Sequence, residues 1–166
     1  MKTIKRILTA TDFTAPSERA VQVATELATT FNASLTIVHV FEYPRGLYTN
    51  TALYSGDLLE PVLEEAESKL SEMIGSISKQ IPEASARIRQ GNPYEEILAA
   101  AIESKVDLIV MGTHGRTGLA RAVLGSVAEK VVRLSPVPVL TVRQSEDRTP
   151  VVAKVESKTK EAASAQ

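Results

Sequence analysis

The chain has no cysteine. That excludes disulfides, thiol catalysis and thiolate metal sites. It also lacks an excess of either charge, since 19 basic and 20 acidic residues leave a formal net charge of -1. A general nucleic-acid or membrane-surface binder needs a basic face, so neither partner is expected. No stretch approaches the ~20 apolar residues that cross a bilayer. The apolar run after residues 1–6 is too short for a signal peptide. A cytoplasmic location is therefore expected. Two phosphate-binding signatures are missing too. There is no Gly-x4-Gly-Lys-Ser/Thr P-loop, and no Gly-x-Gly-x-x-Gly follows the first strand, so neither ordinary P-loop nor dinucleotide binding is expected.

What is present fits one soluble core with an appendage: 166 residues, 43% hydrophobic and 23% charged. Residues 4–10 read as a β-branched-rich strand that stops at Thr11-Asp12-Phe13-Thr14. A helix follows, with Thr14 as cap, Pro16 in its first turn, and Ala20, Ala24, Leu27, Ala28 and Phe31 on one face. Residues 35–40 are apolar enough for a strand buried on both faces. Residues 42–57 carry Tyr43, Tyr48 and Tyr54 among glycine and proline breakers and read as a long loop, either covering a ligand or merely mobile. Helical spacing returns over residues 59–77, and residues 84–90 form a third strand. Asn92-Pro93 starts the next helix, with Glu95 reaching back as in a capping box. Residues 107–111 make the fourth strand, Ser126 to Glu129 has a capping-box pattern opening a last helix, and residues 139–143 make a fifth strand. Strands alternating with helices argue for an α/β fold, a parallel sheet covered on both faces. Its ligands bind at the carboxyl ends of strands. Residues 144–166 are polar and weakly patterned, a tail that is flexible or docks on a partner through Val151, Val152 and Val155.

Two strand ends carry chemistry. Thr11-Asp12 follows the first strand. After the fourth come Met111-Gly112-Thr113-His114-Gly115-Arg116-Thr117-Gly118 and, further on, Gly125-Ser126. Glycines at 112 and 115 allow positive φ and close backbone approach. A helix beginning at Gly125-Ser126 points its free amides and positive dipole end outward. Together these make a cradle of N–H donors for phosphate oxygens, with Arg116 and Arg121 able to add charge. The spacing alone leaves a second reading open, an ordinary glycine turn with Ser126 capping its helix against Glu129.

The pattern Gly112-x2-Gly115-x9-Gly125-Ser126 resembles the nucleotide motif of ATP-binding universal stress proteins. The Thr11-Asp12 and His39-Val40 strand ends and the closing run from Val137 to Val142 look like the same family, so the resemblance covers residues 2–143. It implies a doubly wound five-stranded parallel sheet of order 3-2-1-4-5, helices on both faces, of the adenine nucleotide alpha-hydrolase type. Residues 1–143 would be that domain and residues 144–166 the tail.

The resemblance also implies roles. Ala10, Thr11 and Asp12 would border the adenosine, Asp12 accepting from ribose hydroxyls or positioning Mg; otherwise Asp12 caps the helix entry. Val40 would present its backbone to adenine; otherwise it is a buried strand residue. Met111, Gly112 and Gly115 would line ribose and phosphates, and Gly125, Ser126 and Val127 would donate to the phosphates. His114 reads as a loop residue against phosphate or solvent, beside Arg116. No catalytic site is evident, and no metal site apart from Asp12. Glu103 and Asp107 read as solvated carboxylates. The expected ligand is ATP, with ADP, AMP or cAMP as variants. The family resemblance implies a homodimer through the apolar edge strand that runs from Pro138 to Arg143, unless the tail covers that edge. The expected function is a stress-responsive, nucleotide-regulated dimer. The alternatives are a hydrolysing enzyme with slow ATPase activity and a nucleotide-free interaction protein.

Overall fold

The computed structural model describes residues 3–42, 60–113 and 124–143. In chain order they form β1 (Arg6–Thr11), α1 (Ala15–Phe31), β2 (Ser34–Phe41), α2 (Glu60–Ile77), β3 (Ser85–Gln90), α3 (Pro93–Glu103), β4 (Leu108–Gly112), α4 (Ser126–Leu134) and β5 (Val139–Val142). The sheet is parallel throughout and ordered β3-β2-β1-β4-β5. The strand interiors fit this placement. Ile7, Leu8, Leu35, Ile37, Val38, Ile109 and Val110 are all buried, as central parallel strands require.

Alternate residues feed two cores. Ile7, Leu35, Ile37 and Val110 pack under α1 and α2, whereas Leu8, Val38, Ile109 and Met111 pack under α3 and α4. The face α1 buries is mostly alanine (Ala20, Ala24, Ala28), with Val21 and Ser17. Small side chains let the helix lie close to β1 and β4. Phe31, expected on that face, is 40% exposed. The chain leaves the helix there, through Asn32 in the left-handed region at φ 50°.

Three local expectations fail. Asn92 is the N-cap of α3 but its side chain makes no cap bond, and Glu95 accepts the Tyr94 hydroxyl at 2.7 Å instead of reaching back. Gly125, not Ser126, is the N-cap of α4, so Glu129 has no capping serine and its carboxylate pairs with Arg133 at 3.7 Å. The junction carboxylates are not merely solvated. Asp107 accepts from the amides of Lys5 and Arg6, both at 3.0 Å, and so ties β1 to β4. Glu103 receives both terminal nitrogens of Arg89 at 2.7 and 3.0 Å. That guanidinium, by its hydrogen bond, holds the carboxyl below the usual carboxylate range.

The register decides where the molecule opens. β1 pairs with β2 through Thr11↔His39, but with β4 only through Thr9↔Val110. Beyond that point Ala10 and Thr11 keep β2 beside them, while Met111 and Gly112 keep β5. The sheet therefore splits at the carboxyl ends of β1 and β4, the switch point at which α/β sheets bind ligands.

Candidate functional site

A cleft of about 710 Å³ lies over this split. Of the residues singled out in the sequence, Ala10, Thr11, Asp12, Val40, Met111, Gly112, Gly125, Ser126 and Val127 all line it. His114, Gly115, Arg116 and Arg121 lie outside the described residues, as do the three loop tyrosines and the tail.

On the β1 side, the chain turns through a closed hydrogen-bond knot. Ser17 Oγ accepts from the amides of Asp12 (3.3 Å) and Thr14 (3.1 Å) and donates to the Thr14 carbonyl (2.8 Å). Thr11 Oγ1 lies 3.2 Å from the same hydroxyl and accepts from the Phe13 amide at 3.1 Å. Asp12 Oδ1 accepts from both the amide (3.1 Å) and the hydroxyl of Thr14. Asp12 thus braces the helix entry with one oxygen. Its other oxygen, Oδ2, has no partner among the described residues.

The α4 side is the opposite. Glu129 N makes the first helical bond, to Gly125 O at 2.8 Å. The amides of Ser126, Val127 and Ala128 precede it and have no acceptor among the described residues, nor has the Ser126 hydroxyl. All three residues line the cleft, and the positive end of α4 adds to their pull on an anion. Gly125 does not contribute its amide, which is bound to Thr113 O at 2.7 Å, while Thr113 N goes to Val142 O at 3.0 Å.

At Gly112 the expected close backbone approach is present, toward α1. Its φ is not positive. A Cβ there would stand 2.9 Å from Pro16 O and 3.1 Å from Pro16 C. The glycine exists so that the end of β4 can touch the first turn of α1. It also lines the cleft.

Between the two sides the walls are apolar, from Val38, Val40, Ile97, Met111 and Val127. Val40 is one residue past the last β1–β2 pair, so no β1 residue stands opposite it. The sequence reading missed the wall formed by Phe13, His39, Glu65 and Lys69. Lys69 Nζ donates to Glu65 Oε1 at 2.6 Å, which lowers the Glu65 pKa. This i,i+4 pair was legible as helical support, but nothing in the sequence put α2 beside the cleft. Lys69 is the one cation lining the cleft among the described residues, against Asp12, Glu42 and Glu65.

The sequence model of the Universal stress protein family matches residues 3–143. The chain belongs to that family. A universal stress protein of Thermus aquaticus is 40% identical over 139 residues, covering 84% of this chain and 98% of the relative. The universal stress protein MJ0577 of Methanocaldococcus jannaschii is 29% identical over 158 residues, covering 84% and 95%. The solved structure of MJ0577 matches at a TM-score of 0.75, covering 88% of this chain and all (100%) of that one. A universal stress protein solved in complex with cAMP is 26% identical, with a TM-score of 0.67, covering 87% and 100%.

Proposed function

We propose that this universal stress protein binds an adenine nucleotide in the cleft at the sheet split, ATP first and ADP, AMP or cAMP as variants. The observation that carries the reading is the row of amides at Ser126, Val127 and Ala128 that have no acceptor among the described residues, at a cleft with apolar walls. The volume lies within the ~300–1,000 Å³ of small-molecule sites. Phosphate oxygens suit the α4 amides and the Ser126 hydroxyl. The base suits the apolar walls and the Val40 backbone, and ribose hydroxyls suit Asp12 Oδ2. The universal stress protein solved in complex with cAMP supports an adenine nucleotide as the class of ligand. The alternative role for Asp12 Oδ2, in place of the ribose hydroxyls, is to help position Mg; among the described residues no group of three or more metal-ligating side chains exists.

Nucleotide occupancy then regulates a cytoplasmic stress-response dimer. The dimer uses edge strand β5, where Leu140 is 40% exposed; Val132 (45%) and Leu134 (51%) of α4 are exposed too. Light scattering at micromolar concentration should give twice the chain mass; a monomer there removes the dimer.

Thermal melting tests the binding. At a hundred times its dissociation constant a ligand of the native state adds ~2.7 kcal/mol, on the order of 5–10 °C in Tm for a chain this long. We expect that rise with ATP. No rise with ATP, ADP, AMP or cAMP would favour an interaction protein that needs no nucleotide.

A further inference from the structure

Three residues other than glycine have positive φ among the described residues: Phe13 at 62°, Asn32 at 50° and Lys105 at 49°. Asn32 is the C-cap of α1, and Lys105 follows Ser104, the C-cap of α3. A left-handed residue is the usual way to leave a helix. No helix ends at Phe13. It stands next to Asp12 in the wall of the cleft, and a bulky side chain in this region is an outlier. Such residues persist only where their surroundings over-determine them, and they cluster at functional sites.

The surroundings of Phe13 come from three elements. Its amide donates to Thr11 Oγ1, at the end of β1. Its ring centroid lies 4.4 Å from that of His39, at an interplanar angle of 34°. His39 is fixed in turn by its Nδ1, which donates to Thr11 O at 2.9 Å. From α2, Lys69 Nζ reaches to 5.3 Å from the ring centroid, a cation–π contact, with Glu65 holding the ammonium. One peptide away, Asp12 Oδ1 is committed to Thr14 and Oδ2 is not.

We infer that Phe13 is a positioning residue: its left-handed backbone, locked by His39 and Lys69, sets the Asp12 carboxylate so that Oδ2 is held for the hydroxyls of the ligand's sugar. This rests on the nucleotide reading of the cleft. It gives α2, which the sequence motif does not include, a part in ligand recognition through Phe13.

The test is a double-mutant cycle with two ligands, ATP and 2′,3′-dideoxyATP, read as dissociation constants by titration calorimetry. Phe13→Ala should weaken ATP by roughly tenfold, the loss of one hydrogen bond to a charged group. It should change dideoxyATP by less than about twofold and add nothing to Asp12→Asn. Phe13→Gly, which accepts the left-handed backbone without strain, supplies the same measurement if the alanine variant does not fold. Equal loss for both ligands, or losses that add to those of Asp12→Asn, would overturn the positioning role. Wild-type protein that binds both ligands equally would also overturn it while leaving nucleotide binding intact. Wild-type protein that binds neither would remove both.

Discussion

A serine stands in the first turn of both α1 and α4, and the two hydroxyls have opposite surroundings. Ser17 of α1 is buried and is the centre of a knot that satisfies Thr11, Asp12 and Thr14. Ser126 of α4 is exposed, and neither its hydroxyl nor its amide has a partner among the described residues. The same residue type closes one side of the cleft and leaves the other open. The closed side fixes geometry; the open side has donors without a partner among the described residues. Buried polar groups are costly when unpaired, whereas amides at a helix start can wait in solvent for an anion. Substitutions on the two sides should therefore separate stability from binding.

The largest effect on stability should come from Gly112, which joins the sides. Gly112→Val forces a Cβ to 2.9 Å from Pro16 O, and backbone cannot yield as a side chain tip does. We expect a loss of about 3 kcal/mol, a fall in Tm of roughly 6–12 °C, in the absence of any nucleotide. A variant that melts like the wild type but no longer binds would mean that the glycine serves the ligand and not the α1 contact.

Ser17→Ala should come next. It strips the acceptor from Asp12 N and one acceptor from Thr14 N in a part-buried turn. The expected cost is about 2 kcal/mol, roughly 4–8 °C in Tm. An unchanged melting curve would show that water replaces the hydroxyl, and the contrast between the two sides would weaken.

The smallest effect lies away from both, at the Arg89–Glu103 bridge. Because Glu103 titrates below its ordinary value when folded, its contribution is present above the ordinary carboxylate pKa and lost as pH falls through the lower folded value. Glu103→Gln should melt slightly below the wild type at pH 7, and the two curves should converge in acid, once the pH is below the lowered folded pKa of Glu103. A gap that stays constant across this range would assign the effect to packing instead of charge.

Much of this architecture is readable from residue patterns. The apolar strands, the alanine stripe of α1 and Pro93 at the start of α3 set the element order, and every strand begins and ends within two residues of its expected bounds. The order of strands in the sheet was not readable that way; it came through resemblance to universal stress proteins and agrees with the structure. Asp12 and Ser126 were legible as chemistry mainly through the family resemblance, because carboxylates and serines are also ordinary helix-entry residues. Details within a turn were not. Gly125 and Ser126 differ by one position in which amide turns inward, and only the Thr113 carbonyl decides it. Likewise no local signal marks Phe13 as left-handed, and the His39 and Lys69 groups packed on its ring come from residues 26 and 56 positions away in the sequence.

The most direct measurement is ATP titration of Ser126→Pro. Proline is well tolerated as the first residue of a helix, and Gly125 already has the extended backbone (φ -60°, ψ 151°) that a following proline requires. The variant removes one amide donor and one hydroxyl while leaving α4 in place. The prediction is an unchanged Tm without ligand and an ATP affinity lower by about 1.5–3 kcal/mol, roughly 10- to 150-fold. Full ATP affinity in a folded Ser126→Pro protein would contradict the account, because the anion would then be held by something other than the start of α4.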